Sequence, residues 1–302
     1  MAVFSIEQVV RAEGFAKAAM NGMIISTGAN VILDITLILW LHMGVLGAGI
    51  ATVAANVLGL IYYISYIQRK SKYLSLKLHD LKPATHILRP IFVIGSSELV
   101  QSAFMFTSTL IINNLAVRYS NDFVAGIGAA QRIVQIPETL AMGIFFGALP
   151  LLAYSLGAGD LDRTRQALRT AALWILGLST LIGLFVFIGK DAVLEFMGGS
   201  ALIEGGHMIL IAMLISTLFN GLTGLAITWF QASGQGLPAI IMTAAQGVLL
   251  IPIMLFMNHQ WEQTGLIRSL TTTEVLTCTV AALLFIFTGK VAGAATKQAA
   301  NA

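Results

Sequence analysis

Long apolar runs separated by short polar segments dominate the sequence. Eight of these runs are candidates to cross a bilayer core about 30 Å thick as helices. They cover residues 18–41, 45–67, 90–117, 123–155, 171–189, 208–232, 237–257 and 275–288. Continuous apolar runs favour helices, because a membrane β-barrel would alternate apolar and polar residues over ten-residue stretches. The pattern predicts an all-α integral membrane protein with about eight transmembrane helices, embedded in the lipid bilayer.

Composition agrees with this class of protein and disfavours an enzyme. Hydrophobic residues make up 57 % of the chain and charged residues only 10 %, with five scattered histidines and a single cysteine, Cys278. We find no nucleophile–base constellation, no phosphate-binding glycine loop and no histidine spacing typical of a metal site. The sequence therefore predicts no enzyme, no organic cofactor and no metal beyond a possible Na⁺.

The longest polar segment divides the chain into a two-helix part and a six-helix part. The predicted units are a two-helix unit at 1–68 and a six-helix unit at 87–292. Between them lies a basic amphipathic linker at 69–86, expected on the inner leaflet, and the predicted cytoplasmic tail covers 293–302. A sequence echo at an offset of about 218–220 residues also relates the first apolar hairpin to the last, which is typical of secondary transporters.

Basic residues alternate with the loops. Of the 17 Lys and Arg residues, 13 fall in four segments on one side, at 11–17, 69–89, 163–169 and 290–297. This positive-inside pattern predicts cytoplasmic termini in the cell (inner) membrane. It also accounts for the sequence pI of 9.1 without a nucleic-acid partner.

An acidic residue stands in the middle of the first apolar run. Asp34 is the only ionisable residue between 18 and 41. A charge at the centre of a transmembrane helix costs about 2.5–3.5 kcal/mol on insertion scales, so such residues are functional candidates. Asn30 lies one turn earlier on the same helical face. Thr52 and Asp34 are each nine residues from the turn near Met43, which puts both about 13 Å into the membrane.

A carboxylate, a carboxamide and a hydroxyl at one depth suit a proton or a hard monovalent cation. Asn30, Asp34 and Thr52 are therefore the predicted site of a coupling ion, either Na⁺ or H⁺. The alternative is a protonated Asp34 that only bonds a neighbouring helix.

Four further polar residues within the spans are candidates to line a cavity or to contact substrate. They are Glu98, Gln101, Arg132 and Asn220. Glu98 and Gln101 share a helix face, and the alternative for Glu98 is a buried ion pair with Arg132. Arg132 could instead hold its helix against its neighbours, and Asn220 belongs to a small polar stripe that could be a helix-packing seam.

Three segments resemble the multidrug and toxic compound extrusion (MATE) family. RAEGFAKAAMNGMIISTGANVILDITLILWLHMGVLGAGIATVAAN resembles the family's fifth and sixth helices. GIGAAQRIVQIPETLAMGIFFGALPLLAYSLGAGDLDRTRQALR is similar to the eighth helix and the loop after it, in the style of the MepA-like branch. FQASGQGLPAIIM is similar to the turn between the tenth and eleventh helices.

The resemblance implies a two-helix remnant of the N-lobe followed by the six-helix C-lobe of the MATE/MOP fold, that is, helices five to twelve. By this comparison Asn30, Asp34 and Thr52 match the family's N-lobe cation or proton site. Glu98 matches an acid that some members carry in helix seven. The acids that other members carry in the first and tenth helices have no counterpart here.

The function that the resemblance implies is ion-coupled export, by antiport, of amphipathic or cationic drugs across the cell membrane. The transporter is expected to be monomeric when completed by the four preceding helices. Two alternatives stay open at this point, a non-transporting truncated fragment and a lipid-oligosaccharide flippase of the same superfamily.

Overall fold

The computed structural model describes residues 2–71, 85–198 and 201–300, nearly all of them helical. The helices are α1 (Ala2–Ala12), α2 (Ala16–Asp34), α3 (Gly44–Lys70), α4 (Thr85–Val117), α5 (Asn121–Gly157), α6 (Leu161–Ile188), α7 (Lys190–Gly198), α8 (Ala201–Ala232) and α9 (Gly236–Ala300). Seven described helical segments are long and apolar enough to cross a membrane. The predicted all-helical membrane architecture is confirmed.

The chain divides into two compact units, Met1–Ala84 and Thr85–Ala302. Most of the predicted linker at 69–86 lies outside the described residues, as do the last two residues of the predicted tail.

The first unit is an antiparallel hairpin of α2 and α3 with α1 packed against both. Small residues let the two long helices approach closely, as in many membrane helix pairs. The Ser26 hydroxyl donates to the Ala55 carbonyl (3.2 Å), and the Tyr63 hydroxyl donates to the Ala19 carbonyl (2.7 Å). These two bonds fix the register of the hairpin.

Helix α1 was not predicted, because residues 1–17 carry four charged side chains. In the structure, Val10 is fully buried against the hairpin. Glu7 is also buried and forms an ion pair with Arg11 one turn later. A buried carboxylate is tolerated when it is paired, so the charges in this segment are compatible with a packed amphipathic helix.

The second unit is built around α8, which packs against α5, α6 and α9. Half of the residues in its most apolar stretch are buried, against 6 % in α2. Bulky apolar side chains, including Ile209, Leu210 and Met254, form the largest cluster between these helices. The central position of α8 explains why it is apolar on nearly all sides.

Helix α9 is a kinked pair of helices. Its backbone leaves the helical region at Trp261 and Glu262, and Glu262 has a positive φ of 48°. Counting the halves separately gives eight candidate spans among the described residues. The second half continues directly from the kink, so the helix that contains the predicted last span at 275–288 begins about a dozen residues before that span.

The two halves of α9 repeat the geometry of the α2–α3 hairpin. Gly47 lies against the Leu37 carbonyl, and Gly265 lies against the Met257 carbonyl. Each glycine begins a buried seam with a residue every fourth position. The seams are Gly47, Ala51, Ala55, Gly59 and Tyr63 in the first hairpin, and Gly265, Ser269, Thr273, Thr277 and Ala281 in the second. The sequence echo therefore corresponds to a structural repeat.

Candidate functional site

Asp34 ends the α-helical part of α2, and the chain continues as a π-helix over Ile35–Trp40. The wider turn is visible in the bond from the Leu41 amide to the Thr36 carbonyl (3.0 Å), five residues back. π-Helical turns are rare and occur frequently at functional sites. The intramembrane acid therefore lies at the start of an irregular segment.

Asp34 and Asn30 each hold a shielded polar atom without a partner. The Asp34 Oδ1 and Asn30 Nδ2 atoms are inaccessible to solvent and form no hydrogen bond within the described part of the chain. Unpaired polar atoms that are buried cost free energy. A bound cation or proton would satisfy the Asp34 oxygen, which is a physical reason to regard Asp34 as a ligand. The Asn30 Nδ2 atom is a hydrogen-bond donor, so a cation would be held by the Asn30 side-chain carbonyl oxygen instead.

Thr52 lies at about the depth of Asp34, but on a face of α3 other than the one that packs against α2. Ala51 faces α2 at this level, whereas Thr52 is exposed. Its hydroxyl donates to the Ala48 carbonyl of its own helix (2.9 Å). Thr52 thus differs from Asn30 and Asp34, because its polar group is already satisfied.

Glu98 lies in α4 and accepts a hydrogen bond from the Gln231 side chain of α8 (2.8 Å). The same Gln231 amide donates to the Ser97 hydroxyl (3.3 Å). The alternative ion pair with Arg132 does not form, since Arg132 is exposed on α5 and Glu98 bonds Gln231 instead. Glu98 therefore lies in a polar contact between the start of α4 and the end of α8.

Gln101 and Asn220 are both half-buried, on α4 and α8 respectively. Asn220 precedes Gly221, whose position is packed against Ile175 of α6. The small residues next to Asn220 thus serve helix packing. This agrees with the alternative interpretation of the small polar stripe as a helix-packing seam.

One acid within a span was missed. Glu274 lies in the second half of α9, and the Gln246 side chain of the first half donates to its Oε1 (3.0 Å). The predicted last span begins at 275, one residue after Glu274. In the helix, the Thr273 hydroxyl donates to the Ser269 carbonyl (2.8 Å), which satisfies the hydroxyl internally. The available signal was an acid only a few residues before an apolar run.

Comparison with known proteins agrees with this fold. The MatE family model matches residues 98–256. The multidrug export protein MepA of Staphylococcus aureus (strain MRSA252) is 34 % identical over 285 residues, which cover 94 % of this chain. MepA of Staphylococcus saprophyticus is 32 % identical over the same share. The chain spans 63 % of the length of these relatives.

Two solved structures share the fold. An outward-facing multidrug resistance MATE family transporter of the MOP superfamily is 19 % identical, with a TM-score of 0.86 over 97 % of this chain and 66 % of that one. A mutant of the Vibrio cholerae MATE transporter VcmN is 20 % identical, with a TM-score of 0.87 over 96 % of this chain and 66 % of that one. The family model covers more than half of the chain, and this multi-pass membrane protein belongs to the MatE family.

Proposed function

We propose that this chain forms the larger part of an ion-coupled multidrug exporter. Its relatives are multidrug export proteins, and the observation that carries the proposal is the buried carboxylate oxygen of Asp34 that has no hydrogen-bond partner. An inward gradient of Na⁺ or H⁺ drives export of amphipathic or cationic drugs. The transporter works as a monomer, embedded in lipid, and catalyses no covalent reaction.

In the proposed cycle, Asp34 alternates between an ionised and a neutralised state. An ionised carboxylate is costly within the membrane. The conformation that is stable with H⁺ or Na⁺ bound to Asp34 therefore differs from the one that is stable after the ion is released. The ion can shift the conformational equilibrium only by its differential affinity for the two states. The side-chain carbonyl oxygen of Asn30 holds the ion beside Asp34, and the adjacent π-helix supplies a segment whose geometry can change.

Drug efflux from cells tests export. The chain would be joined to the four preceding helices of the Staphylococcus aureus relative and expressed in a strain without its own exporters. We expect energised cells to expel ethidium, and a proton or sodium ionophore to abolish the export. Ethidium retention by the joined protein, when the intact relative exports it from the same strain, would contradict the proposal.

The proposed orientation places both termini in the cytoplasm, because basic loop residues cluster on one side. A cysteine at Gln68, introduced together with Cys278→Ala, is expected to react with a membrane-impermeant maleimide only after the cells are opened. The matched control is a cysteine at Thr264, an exposed residue of the turn within α9, which should react in intact cells. The reverse pattern would show that the chain is inserted the other way.

A further inference from the structure

A groove lies on the surface of the second unit along α6. One part of it, about 440 Å³ in volume, lies between α5 and α6 and reaches Arg163 near the start of α6. A second part, about 400 Å³ in volume, continues along α6 as far as Leu181. Thr170 and Trp174 line both parts, so the two parts form one surface, which we call the α5–α6 groove.

The α5–α6 groove is polar at one end and apolar along the rest of α6. Arg163, Gln166 and Thr170 line the first part over about two turns of the helix. Beyond Thr170 the lining side chains of α6 are apolar. An added Cβ atom at Gly147 of α5 or Gly177 of α6 would meet no atom within 4 Å, so these two glycines keep the groove open. The apolar lining of α6 consists of Leu173, Trp174, Gly177, Leu178 and Leu181.

The apolar part has the length of one acyl chain of a phospholipid. Thr170 and Leu181 are 11 residues apart, which corresponds to about 16 Å along the helix axis. One leaflet contributes about 15 Å to a hydrocarbon core about 30 Å thick. An acyl chain whose headgroup lies at the polar end of the groove would therefore end near Leu181.

The polar end offers hydrogen-bond donors that have no partner. The Arg163 guanidinium group forms no ion pair, and the Thr170 hydroxyl forms no hydrogen bond, with any residue that the structure describes. The nearby Asp160 carboxylate accepts a bond from the Arg163 backbone amide (3.0 Å) and so caps α6. An arginine side chain can bind a phosphate group through two parallel hydrogen bonds.

The charge of the groove also disfavours a cationic drug as its occupant. None of the described residues that line it is acidic, and Arg163 would repel a cation. An occupant with an anionic polar end and a long apolar chain matches both parts of the groove.

We propose that the α5–α6 groove binds a phospholipid with an anionic headgroup, of the phosphatidylglycerol type, from the surrounding bilayer. The Arg163 and Gln166 side chains hold the phosphate, and the Thr170 hydroxyl donates to an ester carbonyl oxygen. One acyl chain lies along the apolar part, against Trp174. The proposal concerns the second unit alone and does not depend on export or on Asp34.

Quenching of Trp174 fluorescence by brominated phospholipids tests the proposal. The purified chain would carry Trp40→Phe, Trp229→Phe and Trp261→Phe, which leaves Trp174 as its single tryptophan. It would be reconstituted in phosphatidylcholine vesicles that contain a minority of one brominated phospholipid. We expect brominated phosphatidylglycerol to be preferred over brominated phosphatidylcholine by about fivefold, the effect typical of one basic residue at a membrane surface. Brominated phosphatidylethanolamine, which has a phosphate but no net charge, should show no preference.

Arg163→Gln is expected to abolish the preference, and Arg163→Lys, which keeps the charge, should retain part of it. The matched control is Arg165→Gln, which removes the same charge from an exposed position of α6 that does not line the groove. It should leave the preference unchanged. Three results would overturn the proposal: equal quenching by all three lipids, an equal loss of preference in Arg163→Gln and Arg165→Gln, or recovery of Trp174 fluorescence on addition of the drug cation tetraphenylphosphonium, which would assign the groove to drugs.

Discussion

Replacement of Asp34 with Asn is expected to reduce ethidium efflux by the joined protein to the level of cells without a transporter. Asparagine keeps the shape of the side chain and its capacity for hydrogen bonds, but it cannot gain or lose a proton. An Asp34→Asn protein would therefore hold one state of the coupling site at all times, and the ion gradient could not drive the cycle. The measurement is ethidium efflux from energised cells, with expression checked on membranes.

Two comparisons show whether the loss is specific to Asp34. Thr52→Ala removes a hydroxyl that already bonds the Ala48 carbonyl, so its loss is worth about 1 kcal/mol, or about fivefold in rate. Glu98→Gln keeps an acceptor for Gln231 and tests the other intramembrane candidate. Normal efflux by Asp34→Asn together with failure of Glu98→Gln would move ion coupling to the second unit. Repeating the series without Na⁺ distinguishes the two ions.

The second large effect is expected for Gly265→Ala in the purified 302-residue chain. A Cβ atom at Gly265 would overlap the backbone carbonyl of Met257, and a backbone group cannot rotate away as a side chain can. The halves of α9 would have to separate where they pack most closely, at a cost of about 1–3 kcal/mol. We expect the unfolding temperature in detergent to fall by roughly 2–10 °C.

The glycines of the repeat provide a graded series for this experiment. At Gly47 a Cβ would lie 3.1 Å from the Leu37 carbonyl oxygen, so Gly47→Ala should destabilise the chain less than Gly265→Ala. At Gly143 no atom lies within 4 Å of the added Cβ. Gly143→Ala should leave stability unchanged or raise it slightly, because alanine favours the helix. Equal losses at all three positions would show that the close approach in α9 is not what limits stability.

The membrane helices could be predicted because a lipid environment leaves few alternatives to a continuous apolar helix. Helix boundaries were harder to predict where polar side chains form their hydrogen bonds within the helix, as in the threonine run before Glu274. Helix α1 was missed for a related reason, since Glu7 and Arg11 neutralise each other and only the folded hairpin reveals the surface that buries Val10.

The candidate sites were predictable to the extent that they depend on position along a helix. The depth of Asp34 and its proximity to Asn30 follow from helical spacing alone. The face on which Thr52 lies depends on which residues of α3 form the seam, and Gly47 and Ala51 determine this through contacts that spacing does not specify. The contact between Glu98 and Gln231 requires the register of two helices that are far apart in the sequence, which no single segment contains.

The π-helix after Asp34 has a mechanical consequence. A π-turn accommodates one residue more than the α-turn it replaces, and each residue of an α-helix turns the chain by about 100°. If the π-turn shifted along the helix, the side chains on one side of Ile35–Trp40 would rotate about the helix axis by that angle. The side chains on the other side would stay fixed. The orientation of the Asp34 carboxylate about the helix axis can thus change independently of that of Trp40, although both residues belong to one continuous helix.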